Sequence, residues 1–301
     1  MEAPRTALVI LGPTATGKTE TAIAVARELG GEVVSADSRL VYRGMDIGTA
    51  KPTPAQRREV PHHLIDLRDP DQTYHVAAFQ RDALAALADI VARGRLPVVT
   101  GGTGLYLRAL IRGYRFPPGG AKTELRRELA TWPVERLHQR LATVDPAAAR
   151  RIDLRDRVRL VRALETVGTP RLSPEPAPEW EFRVFGLVLP RAELYRRIEA
   201  RVDAMLAAGL EEEVGALLAR YDRRLPALET LGYRELAEWL AGEVDREEAV
   251  RRIKMRTRRF AKRQLTWFRR EESVTWVAAG PEAAAEIIRR AAGKRPGSEN
   301  I

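Results

Sequence analysis

The chain has 301 residues, 45% of them hydrophobic and 31% charged, a balance that suits a protein with a sizeable core and excludes a disordered polyelectrolyte. Its 51 basic and 41 acidic side chains give a formal charge of +10, and the absence of cysteine excludes disulfide scaffolds, thiolate zinc sites and cysteine nucleophiles. No stretch reaches the roughly 18 consecutive apolar residues of a transmembrane helix, and a strand-like pattern begins by residue 7, which leaves no room for a signal peptide. We therefore expect a cytoplasmic protein with no membrane partner.

Strand and helix patterns alternate over the first hundred residues. Short apolar runs predict strands at residues 7–12, 32–37 and 96–100, and helical spacing marks residues 20–29 and 76–93. Strands that alternate with helices form parallel sheets with helices on both faces. The pattern therefore predicts an α/β fold with a parallel sheet core and flanking helices.

A helical insertion interrupts this pattern. Strand signals stop between residues 122 and 168, where the chain is charged and helical, and four prolines within residues 170–178 predict a linker. A strand pattern at residues 182–189 then resumes the sheet. We predict a core over 1–115 and 182–292, a helical insertion domain over 116–181 that ends in the proline-rich return linker, and a flexible tail over 293–301.

A phosphate-binding loop follows the first predicted strand. Residues 12–19 have the sequence GPTATGKT, which matches G-x-x-x-x-G-K-[ST] between a strand and a helix. In such a loop the backbone N–H groups turn around an anion, Lys18 adds a mobile charge, and the Thr19 hydroxyl can bind Mg²⁺. The motif therefore predicts a P-loop-type core that binds a polyphosphate, with Mg²⁺ as cofactor. The residues assigned to phosphate binding are Gly12, Pro13, Thr14, Ala15, Thr16, Gly17, Lys18 and Thr19.

The acid that nucleotide hydrolases use is missing from its usual strand. The strand at residues 96–100 continues into Gly101, Gly102 and Thr103 without a carboxylate. Only Asp37 and Asp66 follow strand-like segments at comparable positions. A phosphate loop without this acid suggests that the diphosphate belongs to a leaving group.

Two residues near this loop have more than one possible role. Asp37 could bind a metal, abstract a proton, or only cap the segment that follows it. Thr103 could bond a leaving oxygen or be a simple turn residue.

The second long helix of the C-terminal half is basic. Helical spacing predicts helices at 191–221 and 246–270, and Asp245 with Glu248 is typical of a capping box. Residues 251–270 contain ten basic side chains and no acid, so we expect a polyanionic partner. Arginine accounts for 45 of the 51 basic residues, which suits phosphate but on composition alone also fits codon bias.

One stripe of this helix is expected to face inward: Val250, Ile253, Thr257, Phe260, Gln264 and Trp267 or Phe268. Gln264 is polar on this stripe and is expected to point into the site, and Trp267 either stacks on a base or packs in the core. Tyr42 and Tyr233 likewise stack or pack. The adjacent His62 and His63 are expected to be structural.

Eight segments, in order along the chain, resemble the tRNA dimethylallyltransferases. They are GPTATGKT at 12–19, DSRLVYRGMDIGTAKP at 37–52, PHHLID at 61–66, GGTGLYL at 101–107, RVRLVRALE at 157–165, LYRRIEARVDAML at 194–206, LGYRE at 231–235 and TRRFAKRQLTWFRR at 257–270. The resemblance implies transfer of a dimethylallyl group from dimethylallyl diphosphate to N6 of adenosine 37 in the tRNA anticodon stem-loop, with release of diphosphate.

The resemblance also implies residue roles. Asp37 would be the general base on N6, Thr103 would contact the leaving side of the diphosphate, and Arg201 would help to hold the diphosphate. The tRNA would be lined by Asp37, Ser38, Arg39, Leu40, Thr103, Arg126, Val158, Arg159, Leu160, Val161, Arg162, Leu231, Gly232, Tyr233, Arg234, Glu235, Arg258, Lys262, Arg263, Gln264, Trp267 and Arg269. A monomer is expected.

Two other functions share parts of this pattern. A P-loop kinase of small molecules would bind ATP in the same loop, and a non-catalytic RNA-binding protein could use the loop for regulation. The basic segment argues against the kinase. Asp37 and Thr103 beside the phosphate loop argue against binding alone.

Overall fold

The computed structural model describes residues 5–116, 123–167 and 179–293. Within these residues there are six strands: β1 (Arg5–Leu11), β2 (Gly31–Ser35), β3 (His62–His63), β4 (Leu96–Gly101), β5 (Trp180–Val188) and β6 (Val274–Ala278). They form one sheet in the order β3-β2-β4-β1-β5-β6, and all neighbouring strands are parallel. The predicted α/β class with a parallel sheet core is confirmed.

Helices connect and flank these strands. They are α1 (Lys18–Glu28), α2 (Pro54–Glu59), α3 (Val76–Ala92), α4 (Gly104–Arg112), α5 (Thr123–Thr131), α6 (Val134–Val144), α7 (Pro146–Arg151), α8 (Arg157–Glu165), α9 (Arg191–Ala207), α10 (Leu210–Leu218), α11 (Tyr233–Leu240), α12 (Arg246–Phe268) and α13 (Ala283–Ala292). None of the helices in the described ranges is long and apolar enough to cross a membrane.

The sheet carries apolar side chains on both faces, which explains the continuous apolar runs of its strands. Val9 and Leu11 of β1 pack against α3 and α4, with Phe79 and Leu107 among the buried side chains. Leu8 and Ile10, on the opposite face, pack against α1 and α13. The two layers of helices fix β1, and with it the loop that follows.

The chain divides into two compact units, Met1–Gly113 with Pro176–Ile301 and Tyr114–Glu175. The smaller unit contains α5 to α8 around buried leucines such as Leu137, Leu141 and Leu160. Inside it, the buried carboxylate of Glu165 accepts two hydrogen bonds from Arg126, at 2.6 and 2.8 Å. The proline-rich linker and the tail predicted from the sequence lie largely outside the described residues.

Two predicted elements differ from the structure, and some observed elements were not predicted. The helix expected at 191–221 is two helices, α9 and α10, because Gly209 adopts a left-handed φ of 95° that ends the helical path. The segment after residue 61 forms only the two-residue strand β3. Strand β6 and helix α13 were not predicted, since a five-residue edge strand leaves little periodicity to detect.

Candidate active site

The carboxyl ends of β1, β2 and β4 lie side by side, and three loops leave the sheet there. Leu11 pairs with Gly101, and Ser35 pairs with Thr100, so these strands end at nearly the same level. Parallel sheets bind ligands at such an edge, where the connections diverge. The loops are residues 12–17, 36–40 and 102–103.

The backbone of the first loop, residues 12–17, folds back towards Lys18. Gly17 and Ala15 adopt left-handed backbone conformations, with φ of 83° and 64°. The Thr16 hydroxyl donates to the Pro13 carbonyl at 2.9 Å, and Lys18 Nζ donates to the same carbonyl at 2.7 Å. The loop therefore has the turned backbone that cradles phosphate oxygens in the motif predicted from the sequence.

Two cations in this loop region, Lys18 and Arg201, form no ion pair within the described residues. Burial lowers the pKa of Lys18 to about 8, and the positive charge of Arg201 adds to the shift. Burial also lowers the pKa of Arg201, which lies on α9, while Glu20 and Asp37 act in the opposite direction. Neither cation forms an ion pair with any residue in the described part of the chain. An anion bound here would relieve both shifts. Glu20, one helix position from Thr19, was missed by the sequence analysis.

Asp37 and Thr103 lie on neighbouring loops of this edge. Asp37 Oδ1 accepts the N–H of Arg39 at 2.8 Å, which fixes the carboxylate in a turn. Thr103 Oγ1 accepts the N–H of Ser38 at 3.0 Å and lies 3.3 Å from the Ser38 hydroxyl. The structure thus brings together the two residues that were predicted to act in catalysis.

The alternative acid, Asp66, is engaged elsewhere. Its carboxylate binds Lys51 at 2.6 Å and Arg57 at 2.7 Å, and Lys51 is almost fully buried. His63 contacts Glu32 at 2.7 Å, and His62 contacts the Val60 carbonyl at 2.7 Å, which fits the predicted structural roles. Asp37 is therefore the better candidate for chemistry.

A metal at this edge would depend on Thr19 and the ligand itself. No cluster of three or more histidine and carboxylate side chains suited to a metal occurs among the residues placed by the structure. The Thr19 hydroxyl lies in the first turn of α1 and makes no hydrogen bond there to another placed residue. This donor set fits Mg²⁺, which is commonly held by few protein oxygens and by substrate phosphates.

Gln264 points inward from α12, as predicted, but it contacts two loops. Its Oε1 accepts the N–H of Thr14 at 2.9 Å, and its Nε2 donates to the Gly102 carbonyl at 2.9 Å. Its buried amide therefore bonds one loop on each side, and the tRNA contact predicted for Gln264 stays a prediction.

Trp267 lies one turn further along α12. Arg108 covers its ring at 4.4 Å, and the indole packs so closely on Gly104 that an added Cβ would lie 2.3 Å from it. This packing favours the core role that the sequence left open for Trp267, and its predicted contact with tRNA stays a prediction. The two buried tyrosines, Tyr42 and Tyr233, also pack in the core.

The basic helix has a paired first half and an unpaired second half. Arg252, Lys254, Arg256 and Arg258 bind acids of neighbouring helices, and Arg251 binds Glu248 within α12. Among residues 251–270, the exposed cations without an ion pair to another described residue are Arg259, Lys262 and Arg263 in α12 and Arg269 and Arg270 directly after it. We refer to these five residues as the free basic face.

The inward stripe of α12 is also shifted from its predicted position. Ala249, Ile253, Ala261, Gln264 and Phe268 are buried, whereas Phe260 is 36% exposed. The helical period of the sequence is compatible with both the predicted and the observed stripe, because the stems of arginine side chains and aromatic rings occupy similar positions on the surface of a helix.

Five residues assigned to tRNA are buried, namely Leu160, Gly232, Tyr233, Glu235 and Gln264. Leu160, Tyr233 and Glu235 are at most 1% exposed. Glu235 accepts the N–H of Gly232 at 2.8 Å and pairs with Arg256, while the Tyr233 hydroxyl donates to Glu213 at 2.6 Å. Their side chains stabilise the fold, and their predicted contacts with RNA stay predictions. In the smaller unit, Val158 is 80% exposed and remains a candidate.

Known proteins are similar to this chain over most of its length. The family model described as IPP transferase matches residues 40–271. The tRNA dimethylallyltransferase of Pelotomaculum thermopropionicum is 50% identical over 298 residues, covering 94% of this chain and 95% of that protein. The corresponding protein of Moorella thermoacetica is 50% identical over 295 residues, covering 92% and 91%.

Solved structures are similar over nearly the whole chain. The tRNA isopentenylpyrophosphate transferase of Bacillus halodurans has a TM-score of 0.75 and 40% identity, with 96% of each chain covered. A eukaryotic dimethylallyltransferase, described as acting on tRNA, has a TM-score of 0.78 and 25% identity, covering 95% of this chain and 77% of that one. The likeness therefore extends to the core and the insertion alike.

Proposed function

Because the chain belongs to the tRNA dimethylallyltransferase family, we propose that it transfers the dimethylallyl group of dimethylallyl diphosphate to N6 of adenosine 37 in tRNA. The observation that supports this function at a particular site is the position of two cations without an ion pair, Lys18 and Arg201, near the carboxylate of Asp37. Both roles follow from these residues, since the cations suit a diphosphate and the carboxylate suits a proton acceptor.

The reaction joins nitrogen to carbon as diphosphate departs. The lone pair of the adenine amine is delocalised into the ring, so its proton must be removed as the bond forms. Asp37 takes that proton, N6 bonds to the allylic carbon, and the electron pair of the breaking C–O bond goes to the diphosphate. The Arg39 N–H donates to Oδ1 of Asp37 at 2.8 Å, so Oδ2 is left to accept the proton of the adenine amine.

The departing diphosphate gains negative charge, and the phosphate loop stabilises it. Lys18, Arg201 and the N–H groups of residues 15–19 supply fixed positive charge and dipoles. In this proposal Thr103, whose hydroxyl accepts the Ser38 N–H at 3.0 Å, contacts the leaving side of the diphosphate. A divalent metal, which we propose to be Mg²⁺ bound through Thr19, supplies further positive charge to the same leaving group.

The RNA partner is the anticodon stem-loop. The free basic face, formed by α12 and the two residues after it, offers five exposed cations that bind no acid of the described ranges, which suits a phosphate backbone. The other predicted tRNA contacts of the core that are not buried are Asp37, Ser38, Arg39, Leu40, Thr103, Leu231, Arg234, Arg258 and Trp267. Val158, Arg159, Val161, Arg162 and Arg126 are those of the smaller unit, although Arg126 also binds Glu165.

A single assay tests the proposal against the kinase and the binding protein. The purified chain is incubated with unmodified tRNA, Mg²⁺, and either dimethylallyl diphosphate or ATP, and the digested nucleosides are weighed by mass spectrometry. We expect one adenosine to gain one dimethylallyl unit with the isoprenoid alone. Phosphorylation with ATP would support the kinase, and tRNA binding without any mass gain would support the binding protein.

A further inference from the structure

Gln264 is the polar side chain through which α12 contacts two loops of the site. Its oxygen accepts the N–H of Thr14 in the phosphate loop, and its nitrogen donates to the Gly102 carbonyl, one residue before Thr103. Both bonds are 2.9 Å long, and the residue is 7% exposed. A buried amide that satisfies one group on each loop fixes the distance between them.

The second loop is shaped to receive this helix. A Cβ on Gly102 would lie 2.4 Å from Gln264 Nε2, and a Cβ on Gly104 would lie 2.3 Å from the Trp267 ring. A larger residue at Gly102 would displace the Gln264 amide, and a larger residue at Gly104 would overlap the indole of Trp267. The contact between α12 and the second loop therefore depends on Gln264 and Trp267 in the helix and on the two glycines in the loop.

The same helix presents the free basic face to solvent. Lys262 and Arg263 immediately precede Gln264 and are exposed, whereas Gln264 is buried. An RNA bound to the exposed side of α12 and a diphosphate bound to the phosphate loop would thus be connected through the side chain of Gln264.

We propose that Gln264 is a positioning residue that couples tRNA binding to diphosphate binding. The inference rests on the proposed function. In this role Gln264 acts through its bonds to the Thr14 N–H and the Gly102 carbonyl and not through a bond to a substrate. RNA that restrains α12 restrains the phosphate loop through this amide, so the diphosphate then loses less freedom on binding and its affinity rises. By reciprocity, diphosphate raises the affinity for RNA by the same factor.

The coupling is measured with inorganic pyrophosphate, which permits no transfer. Its affinity with Mg²⁺ is determined by calorimetry for the free protein and for the protein saturated with unmodified anticodon stem-loop RNA. We expect the RNA to strengthen pyrophosphate binding about fivefold or more, the lower end of typical coupling. In Gln264→Met, which keeps the volume and removes both bonds, the ratio of the two affinities is expected to fall to about one.

Gln80→Met is the matched control. Gln80 donates to the Ala109 carbonyl at 2.7 Å and joins α3 to α4, away from both loops. This variant is expected to keep the wild-type ratio. A general loss of packing would weaken both affinities together and leave the ratio unchanged, so the ratio distinguishes positioning from structure.

Gln264→Glu decides the question if the methionine variant fails to fold. Its carboxylate keeps an acceptor for Thr14 but has no proton for Gly102, whereas the protonated carboxyl restores both bonds. Relative to wild type at each pH, its affinity ratio is expected to recover as pH falls. A wild-type ratio near one, a wild-type ratio in Gln264→Met, or a pH-independent ratio in Gln264→Glu overturns the inference. Absence of dimethylallyl transfer by the wild-type protein would instead reject the proposed function.

Discussion

The two oxygens of the Asp37 carboxylate have different surroundings. Oδ1 accepts the Arg39 N–H at 2.8 Å, and Oδ2 has no hydrogen bond from the residues that the structure describes. Asp37→Asn keeps an oxygen for Arg39 and removes the ability to take a proton. We expect the rate of transfer to fall about 10²–10⁴-fold, the usual contribution of a general base, with tRNA affinity largely unchanged. Single-turnover rates and filter binding measure the two quantities, and a parallel loss of both would assign Asp37 a structural role.

Lys18 gives the site a pH dependence. Burial lowers the pKa of its ammonium to about 8, so the free protein holds the charge below that pH and loses it above. Diphosphate binds the charged form and raises its pKa, so affinity is full below pH 8 and decreases as pH rises through this value. Above pH 8, we expect the affinity to approach a tenfold loss per pH unit, because diphosphate binding then requires Lys18 to take up one proton.

The measurement uses an unreactive thiolo analogue of dimethylallyl diphosphate between pH 7 and 9.5, where the terminal phosphate of the ligand is already ionised. Calorimetry gives the affinity at each pH. Lys18→Met should bind weakly with little dependence on pH in this range. A wild-type affinity that stays constant to pH 9.5 would contradict the assigned role of the lysine charge.

At the scale of elements, α12 combines a paired half with an unpaired half. We expect Arg259→Gln with Arg263→Gln to lower the slope of log affinity for tRNA against log salt concentration by about 0.7–0.9 per lost phosphate contact. Arg251→Gln is the control, because Arg251 is exposed but bonded to Glu248 at 2.6 Å. Fluorescence titrations from 50 to 300 mM salt measure the slopes. Equal slopes in wild type and in the double variant would remove the free basic face from the RNA interface.

Elements were predictable from the sequence where local signals repeat. Strands β1, β2, β4 and β5 are apolar on both faces, and the phosphate loop has its own spacing of glycine and lysine, so a single segment identifies each. The break at Gly209 depends on one φ angle, and the exposure of Phe260 depends on neighbouring helices. The bonds from Gln264 to Thr14 and Gly102 join three distant segments, which no local pattern encodes.

At the scale of the whole molecule, the two compact units have separate cores. The smaller unit buries Glu165, whose carboxylate binds Arg126 and Arg162, and its leucines pack only with residues of that unit in the described cluster. The phosphate loop belongs to the larger unit. Each unit therefore has its own source of stability, and a defect in one need not reach the other.

Glu165→Gln tests this independence. The change removes a buried negative charge and leaves Arg126 and Arg162 without their partner, so we expect residues 123–167 to exchange amide hydrogens faster. Pyrophosphate affinity should remain at the wild-type value, because Lys18 and Arg201 lie in the other unit, while tRNA affinity should decrease. Hydrogen exchange with mass spectrometry locates the change, and calorimetry measures both affinities. Faster exchange that extends to the phosphate loop, or weaker pyrophosphate binding, would show that the two units unfold as one.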